Sequence, residues 1–337
     1  MRRLIALIII ALSLAIESDA KGKDMILPPP LHPGSKIAIV TPASAVADAT
    51  IDAAIDKLCA KGYAPVVYPH ARGKSYGTYA TTDARRAAEL MAAFNDPDID
   101  AILCSRGGYG TVRLLPMLNA DVVRNNPKWL IGYSDISCLH SFMHHAGVAS
   151  IHGPMAAHLA EEPDSIAATR YLYQALTDPK EIIYNIDSHP YNKPGWAKGR
   201  LIGGNLLTIN GLSGTQYDIL PPDDDADYIL FIEDVDEKIH AIERVLMRLH
   251  YSGALSKMKG IIIGQFTGYK PIEDFAAMED MIHHWLLTWG YYNEFDPMPI
   301  VYNFPTGHVS ANYPMICGAE AELVVTPYRT SLGYTGN

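Results

Sequence analysis

The sequence has little cysteine, no clustered positive charge and, after its first twenty residues, no long apolar run. Each shortage removes a class of protein. Cys59, Cys104, Cys138 and Cys317 are too few and too scattered to staple a chain of 337 residues, and none forms a C-x-x-C pair. They read as buried free thiols, so neither a disulfide scaffold nor a cysteine-bound metal is expected. Lys and Arg number 27 against 37 Asp and Glu, a formal net charge of −10. That balance disfavours nucleic acid and anionic membranes, because such partners need clustered cations to displace counterions. A small or peptide-like substrate fits better. Low-complexity tracts and repeats of ~20–50 residues are also missing. With 48% hydrophobic and 19% charged residues, the composition is that of an ordinary globular protein.

The one long apolar run opens the chain. "MRRLIALIIIALSLAIESDA" has a basic start at Arg2 and Arg3, an apolar stretch from Leu4 to Ile16, and small residues at Ser18 and Ala20. This pattern reads as a secretory signal peptide over 1–20, removed near Ala20. The apolar stretch is shorter than the roughly 20 residues that span a bilayer. No Cys lies near the cleavage point, so no stable membrane anchor is expected. A soluble, periplasmic mature protein follows from this reading.

The remaining length is comfortable for two domains. "KIAIV", "APVVYP", "IDAILCS" and Trp129 to Ile131 read as short buried strands, and "TIDAAIDKLCAKG", "TDARRAAELMAAFND" and Ile136 to Ala146 read as helices between and after them. The first of these helices places Ile51, Ile55, Leu58 and Cys59 on one face, and "TVRLLPML" also has helical spacing. Alternation of this kind predicts a mostly parallel sheet covered on both faces, with a ligand site at the carboxyl ends of its strands. The N-terminal α/β domain is assigned to 34–160. A proline-punctuated connection with one helix occupies 161–198, and a second domain 199–330. The second domain includes the strands "YILFIED" and "GIIIGQF" and the amphipathic helix "KIHAIERVLMRLHYSG", and its last segment, from "PIVYNF" onward, reads as antiparallel.

Ser134 is the sharpest position. Gly132-x-Ser134 at a tight strand-to-helix turn lifts a hydroxyl to the sheet edge and sets the next backbone N–H beside it. The second glycine of the usual hydrolase elbow is replaced by Ile136, and a helix-capping serine is the alternative. A serine nucleophile needs a base, and that base needs a carboxylate. His308 in "FPTGHVS" is the candidate base. Glu233 and Asp234 end a strand and are candidate carboxylates, with a helix-first-turn acid as the plainer role for Glu233. "SRGGYG" could cradle a phosphate. It resembles the Gly-Gly-Asp-Gly loop of NAD and lipid kinases, with Tyr109 in place of Asp. The missing Asp, the export signal and the acidic charge favour the other use of exposed backbone N–H groups, an oxyanion hole.

"SRGGYG", "IGYSDIS", "HGP", "GGNLLTINGLSGT", "FIEDVDE" with "ERVLMRL", and "FPTGHV" with a later "GAEAEL" together resemble, in order and over residues 34 to 325, the murein LD-carboxypeptidase family of serine peptidases. The resemblance implies a flavodoxin-like parallel-sheet N-terminal domain, a smaller swivelling β/β/α C-terminal domain, and a Ser-Glu-His triad across the cleft. By motif, Ser134 would be the nucleophile, His308 the base and Glu233 its orienting carboxylate. The backbone N–H groups of Gly108 and Asp135 would form the oxyanion hole. The implied substrate is a murein tetrapeptide losing its terminal D-alanine, in peptidoglycan turnover or recycling, with no cofactor. Arg106, beside the loop, is a candidate for holding the terminal carboxylate, with a structural ion pair as the alternative. His240 departs from the family, which often has Tyr there, and this puts the packing near the site in question. His140 and His144 are spaced i, i+4 but lack the Glu of a zinc helix, so a packed or surface pair is expected and no metal. Two other readings stay open: a relative that cleaves a microcin C-like peptide-nucleotide antibiotic, and a non-catalytic muropeptide-binding protein. A homodimer is compatible with the sequence.

Overall fold

The computed structural model describes residues 25–335 apart from 74, 221 and 223. The expected signal peptide lies outside the described residues. The first half alternates strand and helix: β1 (Lys36–Val40), α1 (Asp48–Ala60), β2 (Ala64–Val67), α2 (Asp83–Asn95), β3 (Ala101–Cys104), α3 (Ala120–Asn125), β4 (Trp129–Gly132), α4 (Ser137–Ala146) and β5 (Ser150–His152). β1, β3 and β4 are almost entirely buried. That burial on both faces is why they read as continuous apolar runs and not as alternating ones. The five strands are parallel in the order β2-β1-β3-β4-β5, the flavodoxin-like order.

Local differences from the sequence reading have local causes. In α1 the buried stripe is Ile51, Ala54 and Leu58. Cys59 falls off that stripe and is exposed, which corrects its reading as a buried thiol; Cys104, Cys138 and Cys317 are buried. "TVRLLPML" is not an α-helix but two 3-10 turns, Thr111–Arg113 and Leu115–Met117. Pro116 has no N–H to continue an i→i−4 ladder.

The helices α5 (Ala156–Glu161) and α6 (Ala167–Thr177) lead to a second sheet. That sheet uses β6 (Ile183–Asp187), β7 (Gly195–Asn205), β8 (Tyr228–Val235), β9 (Met258–Thr267), β10 (Ile300–Val301), β12 (Glu320–Val325) and β13 (Arg329–Tyr334). Between these strands come α7 (Leu206–Asn210), α8 (Ile239–Tyr251), α9 (Met278–Thr288) and the short β11 (Met315–Cys317). Its order is β10-β9-β8-β7-β12-β13-β6, parallel from β10 to β7 and antiparallel from there to β6. The antiparallel reading of the last segment therefore holds for β12 and β13, whereas β10 runs parallel to β9. β6, from the connecting segment, forms one edge of this sheet.

β11 leaves its own half and pairs antiparallel with β5, closing the first sheet. The halves are also joined by packing, since one buried cluster contains Ile37 and Trp129 from the first sheet with Phe231 and Leu323 from the second. Removing a ring such as that of Phe231 would cost about 3–5 kcal/mol. The carboxyl ends of β4, β5 and β8 meet at this junction, which is where the site forms.

Candidate active site

Ser134 follows β4 by two residues and opens a 3-10 turn, Ser134–Ile136, that runs into α4. Its φ of 66° is one of three positive values outside glycine among the described residues. For an L-residue this left-handed conformation costs about 1–2 kcal/mol. The surroundings impose it. His140 on α4 makes a hydrogen bond through Nε2 to the Gly132 carbonyl at 2.8 Å, fixing the strand end. Asp135 accepts the Thr111 N–H at 2.9 Å, and Thr111 Oγ1 donates to the Asp135 carbonyl at 2.5 Å. The turn is thus tied to the glycine loop on one side and to its own helix on the other.

The loop 105–110 is shaped by close approach. A Cβ on Gly107 would lie 2.8 Å from Ser134 Cβ and 3.0 Å from its Oγ, so only glycine lets the loop lie against Ser134. Gly108, at φ 111°, backs onto the Ser44 side chain. Ser44 N–H in turn donates to the Gly107 carbonyl at 3.2 Å. The Gly108 N–H donates to no other backbone group among the described residues, and Asp135, at the start of a helical turn, has no intrahelical acceptor for its own. Both donors that the resemblance implies are therefore unspent beside Ser134. Arg86 stiffens the loop from below: nearly fully buried, it donates to the Pro42 carbonyl, to the Gly110 carbonyl at 3.2 Å and to Asp83 at 2.5 Å. Sequence reasoning missed Arg86, because an arginine in an amphipathic helix reads as a surface residue.

The second sheet supplies the other two groups. Glu233 lies in β8 with no exposed surface, and its Oε2 accepts His308 Nδ1 at 2.8 Å. His308 arrives on the loop after β10. A Cβ on the preceding Gly307, at φ 121°, would lie 2.8 Å from Glu233 Oε2, so this glycine lets the loop reach the carboxylate. Burial pushes the Glu233 carboxyl up, but His152 and His308 outweigh it and hold it at about 2. Burial pulls the His308 imidazole down, and the Glu233 carboxylate more than reverses this, leaving it above its ordinary value. Among the described residues no hydrogen bond joins Ser134 to His308. The two residues line the same cavity, and such hydrogen bonds commonly form only when substrate tightens a site.

Asp234, the other candidate carboxylate, faces away from His308. It accepts Asn205 Nδ2 at 2.9 Å and the Leu207 N–H at 2.8 Å, and burial raises it to about 6. Tyr133 packs edge-on against His308 with ring centres 5.0 Å apart, and burial pushes its phenol up to about 12. His152, part of "HGP" but given no role by sequence, lies within 3.6 Å of Glu233 Oε1.

Two cavities meet at Ser134. One of about 440 Å³ is lined by Arg106, Tyr133, His158, Glu161 and His308; the other, of about 430 Å³, by Tyr109, Asp135, Asn205, Thr208 and Asp234. Ser134 and Gly108 belong to both walls, so an extended chain can pass with one bond at the serine and an arm on each side. Arg106 is exposed in the first cavity and makes no ion pair among the described residues. His140 uses Nδ1 toward Ser150 Oγ and Nε2 toward Gly132, so neither ring nitrogen is available to a metal. Among the described residues no group of three or more His, Cys, Asp or Glu is placed to hold a metal ion. His240 sits on the exposed side of α8, pairs with Glu243 at 3.1 Å and lines neither cavity.

Comparison with known proteins places the chain in a family. The profile of the LD-carboxypeptidase N-terminal domain matches residues 37–153, and that of the LD-carboxypeptidase C-terminal domain matches residues 198–323. The murein tetrapeptide carboxypeptidase of Pseudomonas aeruginosa is 32% identical, over 86% of this chain and 92% of its own length. The microcin C7 self-immunity protein MccF of Escherichia coli is 29% identical, over 71% of this chain and 78% of its own. The crystal structure of muramoyltetrapeptide carboxypeptidase from Oxalobacter formigenes superposes with a TM-score of 0.78 at 27% identity, covering 90% of this chain and 99% of that one.

Proposed function

Because the chain belongs to the LD-carboxypeptidase family, and is thus a hydrolase, we propose that it is a serine-type enzyme that removes the terminal D-alanine from murein tetrapeptides. The observation that carries the serine assignment is the Glu233–His308 hydrogen bond of 2.8 Å at a cavity shared with a strained Ser134. His308 takes the Ser134 proton on Nε2 as Oγ adds to the peptide carbonyl. The Gly108 and Asp135 N–H groups receive the oxyanion. Collapse of the tetrahedral species breaks the C–N bond, with the proton passing from His308 to the D-alanine amine. Water, deprotonated by His308, then attacks the ester, and the proton returns to Ser134 as the acid departs. Glu233 keeps Nδ1–H directed at itself, so Nε2 is the nitrogen offered to the serine. Arg106 is positioned to attract the terminal carboxylate.

The test is stereochemical. A tetrapeptide ending in D-alanine should lose that residue, while its all-L counterpart persists by at least ~10²-fold in kcat/KM, about 2.7 kcal/mol. Inverting the terminal centre prevents the carbonyl, carboxylate and methyl group from meeting their sites together. Equal cleavage would leave a peptidase and defeat the LD assignment, and cleavage only of a peptide-nucleotide would favour the activity named for MccF. Binding without hydrolysis would mean a muropeptide-binding protein.

The N-terminal pattern supports export to the periplasm. The mature protein should begin near Lys21, read by N-terminal sequencing, and an intact Met1 on cytoplasmic protein would overturn this. Among the described residues no helix is long and apolar enough to cross a membrane.

A further inference from the structure

Glu233 is fully buried, yet only one of its oxygens is satisfied: Oε2 faces His308, while Oε1 has no hydrogen-bond partner among the described residues. His152 has the matching deficit. It is 0% exposed, and neither ring nitrogen has a hydrogen-bond partner among the described residues. The two deficits face each other, with His152 Nε2 3.6 Å from Glu233 Oε1. That is only a few tenths of an ångström (~0.4) beyond a normal N–H···O distance. Buried polar groups are nearly always paired, and an anionic oxygen without a donor is the costliest exception.

We propose that His152 is a positioning residue of the reaction: its Nε2–H closes on Glu233 Oε1, so that the carboxylate is gripped on both oxygens and aimed at His308. The proposal rests on the triad reading given above. His152 is well placed to do this. In β5 it is registered against Gly132, two residues before Ser134, and on its other side against Met315 of β11. Its ring lies 5.1 Å from Phe231, 5.9 Å from His140 and 6.0 Å from Tyr133, centre to centre. A Cβ on Gly204 would lie 3.8 Å from its Cδ2. The ring has little room to turn. The titratable groups around it are Tyr133 from the elbow, His140 from α4, Cys317 from β11 and Glu233 from β8. Burial pushes Tyr133 and Cys317 up to about 12 and His140 down to about 3, so those three are neutral near pH 7, and Glu233 is the anion that faces the ring.

The contact also crosses the junction. Ser134 belongs to the first sheet, while Glu233 and His308 come from the second half, so triad geometry depends on how the halves sit together. His152 is registered against Gly132, two residues before Ser134, and faces the carboxylate. It therefore transmits the position of one half to the other, beside the hydrogen bond from the Asn205 N–H to Ser137 Oγ at 3.0 Å.

The experiment has two arms on the purified protein. In the first, ¹⁵N NMR of labelled histidines should find His152 protonated on Nε2, with its shift moved by Glu233→Gln. An Nδ1–H tautomer, or a shift indifferent to Glu233→Gln, would overturn the proposal, and this arm needs no substrate. In the second, His152→Phe should lower kcat on the D-alanine tetrapeptide by about 10- to 100-fold with KM within about twofold. The His308 ionisation, seen in the pH profile and by NMR, should move down as the carboxylate loses its aim, and His152→Gln should restore part of the rate. Wild-type kcat and an unmoved or raised ionisation in a folded His152→Phe protein would sink the idea. If the wild-type protein leaves the tetrapeptide intact, the proposed function fails while the first arm still judges His152.

Discussion

The two sheets deliver their chemical groups by opposite means. The first sheet presents Ser134 through a short strained turn, held at φ 66° by hydrogen bonds within ~25 residues of chain. The second presents Glu233 from near the carboxyl end of a buried strand and His308 from a loop 75 residues later, joined by one 2.8 Å contact. Local geometry therefore fixes Ser134, and long-range burial fixes Glu233 and His308. A change at the serine should abolish chemistry without disturbing the fold, whereas a change at the carboxylate should alter both rate and ionisation.

The largest expected effect is at the elbow. Ser134→Ala should fold normally and lose about 10⁴-fold or more in turnover, as removal of a triad nucleophile generally does. Retention of a tenth of the activity, in a continuous assay of D-alanine release, would remove Ser134 from the mechanism. His308→Ala should match it.

A smaller effect separates the two adjacent carboxylates of β8. Glu233→Gln should cost about 10²- to 10⁴-fold in kcat, because the amide no longer holds the imidazolium or its tautomer. Asp234→Asn should cost less than about tenfold, since Asp234 serves the start of α7 through Leu207 and Asn205. Should Asp234→Asn prove the more damaging, the carboxylate has been misassigned.

The smallest effect is a shift along the pH axis. His308 must be neutral to accept a proton, so the rate should rise with pH through one ionisation. Because Glu233 holds His308 above its ordinary value, the midpoint in kcat/KM should lie above that of an ordinary histidine. In the residual activity of Glu233→Gln the midpoint should move down, the carboxylate that favours imidazolium being gone. A profile unchanged by this substitution would uncouple Glu233 from His308.

The first sheet was largely legible from sequence because its strands are short, buried on both faces and punctuated by turn residues. The elbow was legible because Gly132-x-Ser134 sits at a tight turn between an apolar strand and a helix. What escaped has physical reasons. Pro116 breaks a segment whose apolar spacing is helical, and Cys59 sits one position off the buried stripe of α1, where periodicity alone cannot place it. The choice between Glu233 and Asp234 depended on which way each side chain leaves the strand end, and motif order, not periodicity, pointed to Glu233. Arg86 and His152 gave no local signal at all. Their roles come from partners 24 and 81 residues away, Gly110 and Glu233, and such pairings appear only once the chain is folded.

The return of β11 to the first sheet has a consequence for biogenesis. Residues 315–317 complete a sheet whose other strands end at residue 152, so the edge of β5 lacks this partner until a segment far downstream has been made. An uncovered strand edge invites pairing with other chains, and closing so distant a contact is slow. The half that carries Ser134 is therefore a poor candidate for separate expression. A chain truncated before Met315 would keep Ser134, Glu233 and His308 in its sequence and still leave β5, with His152 on it, as a bare edge. The assembled site therefore depends on residues 315–317 as well as on the side chains that line it.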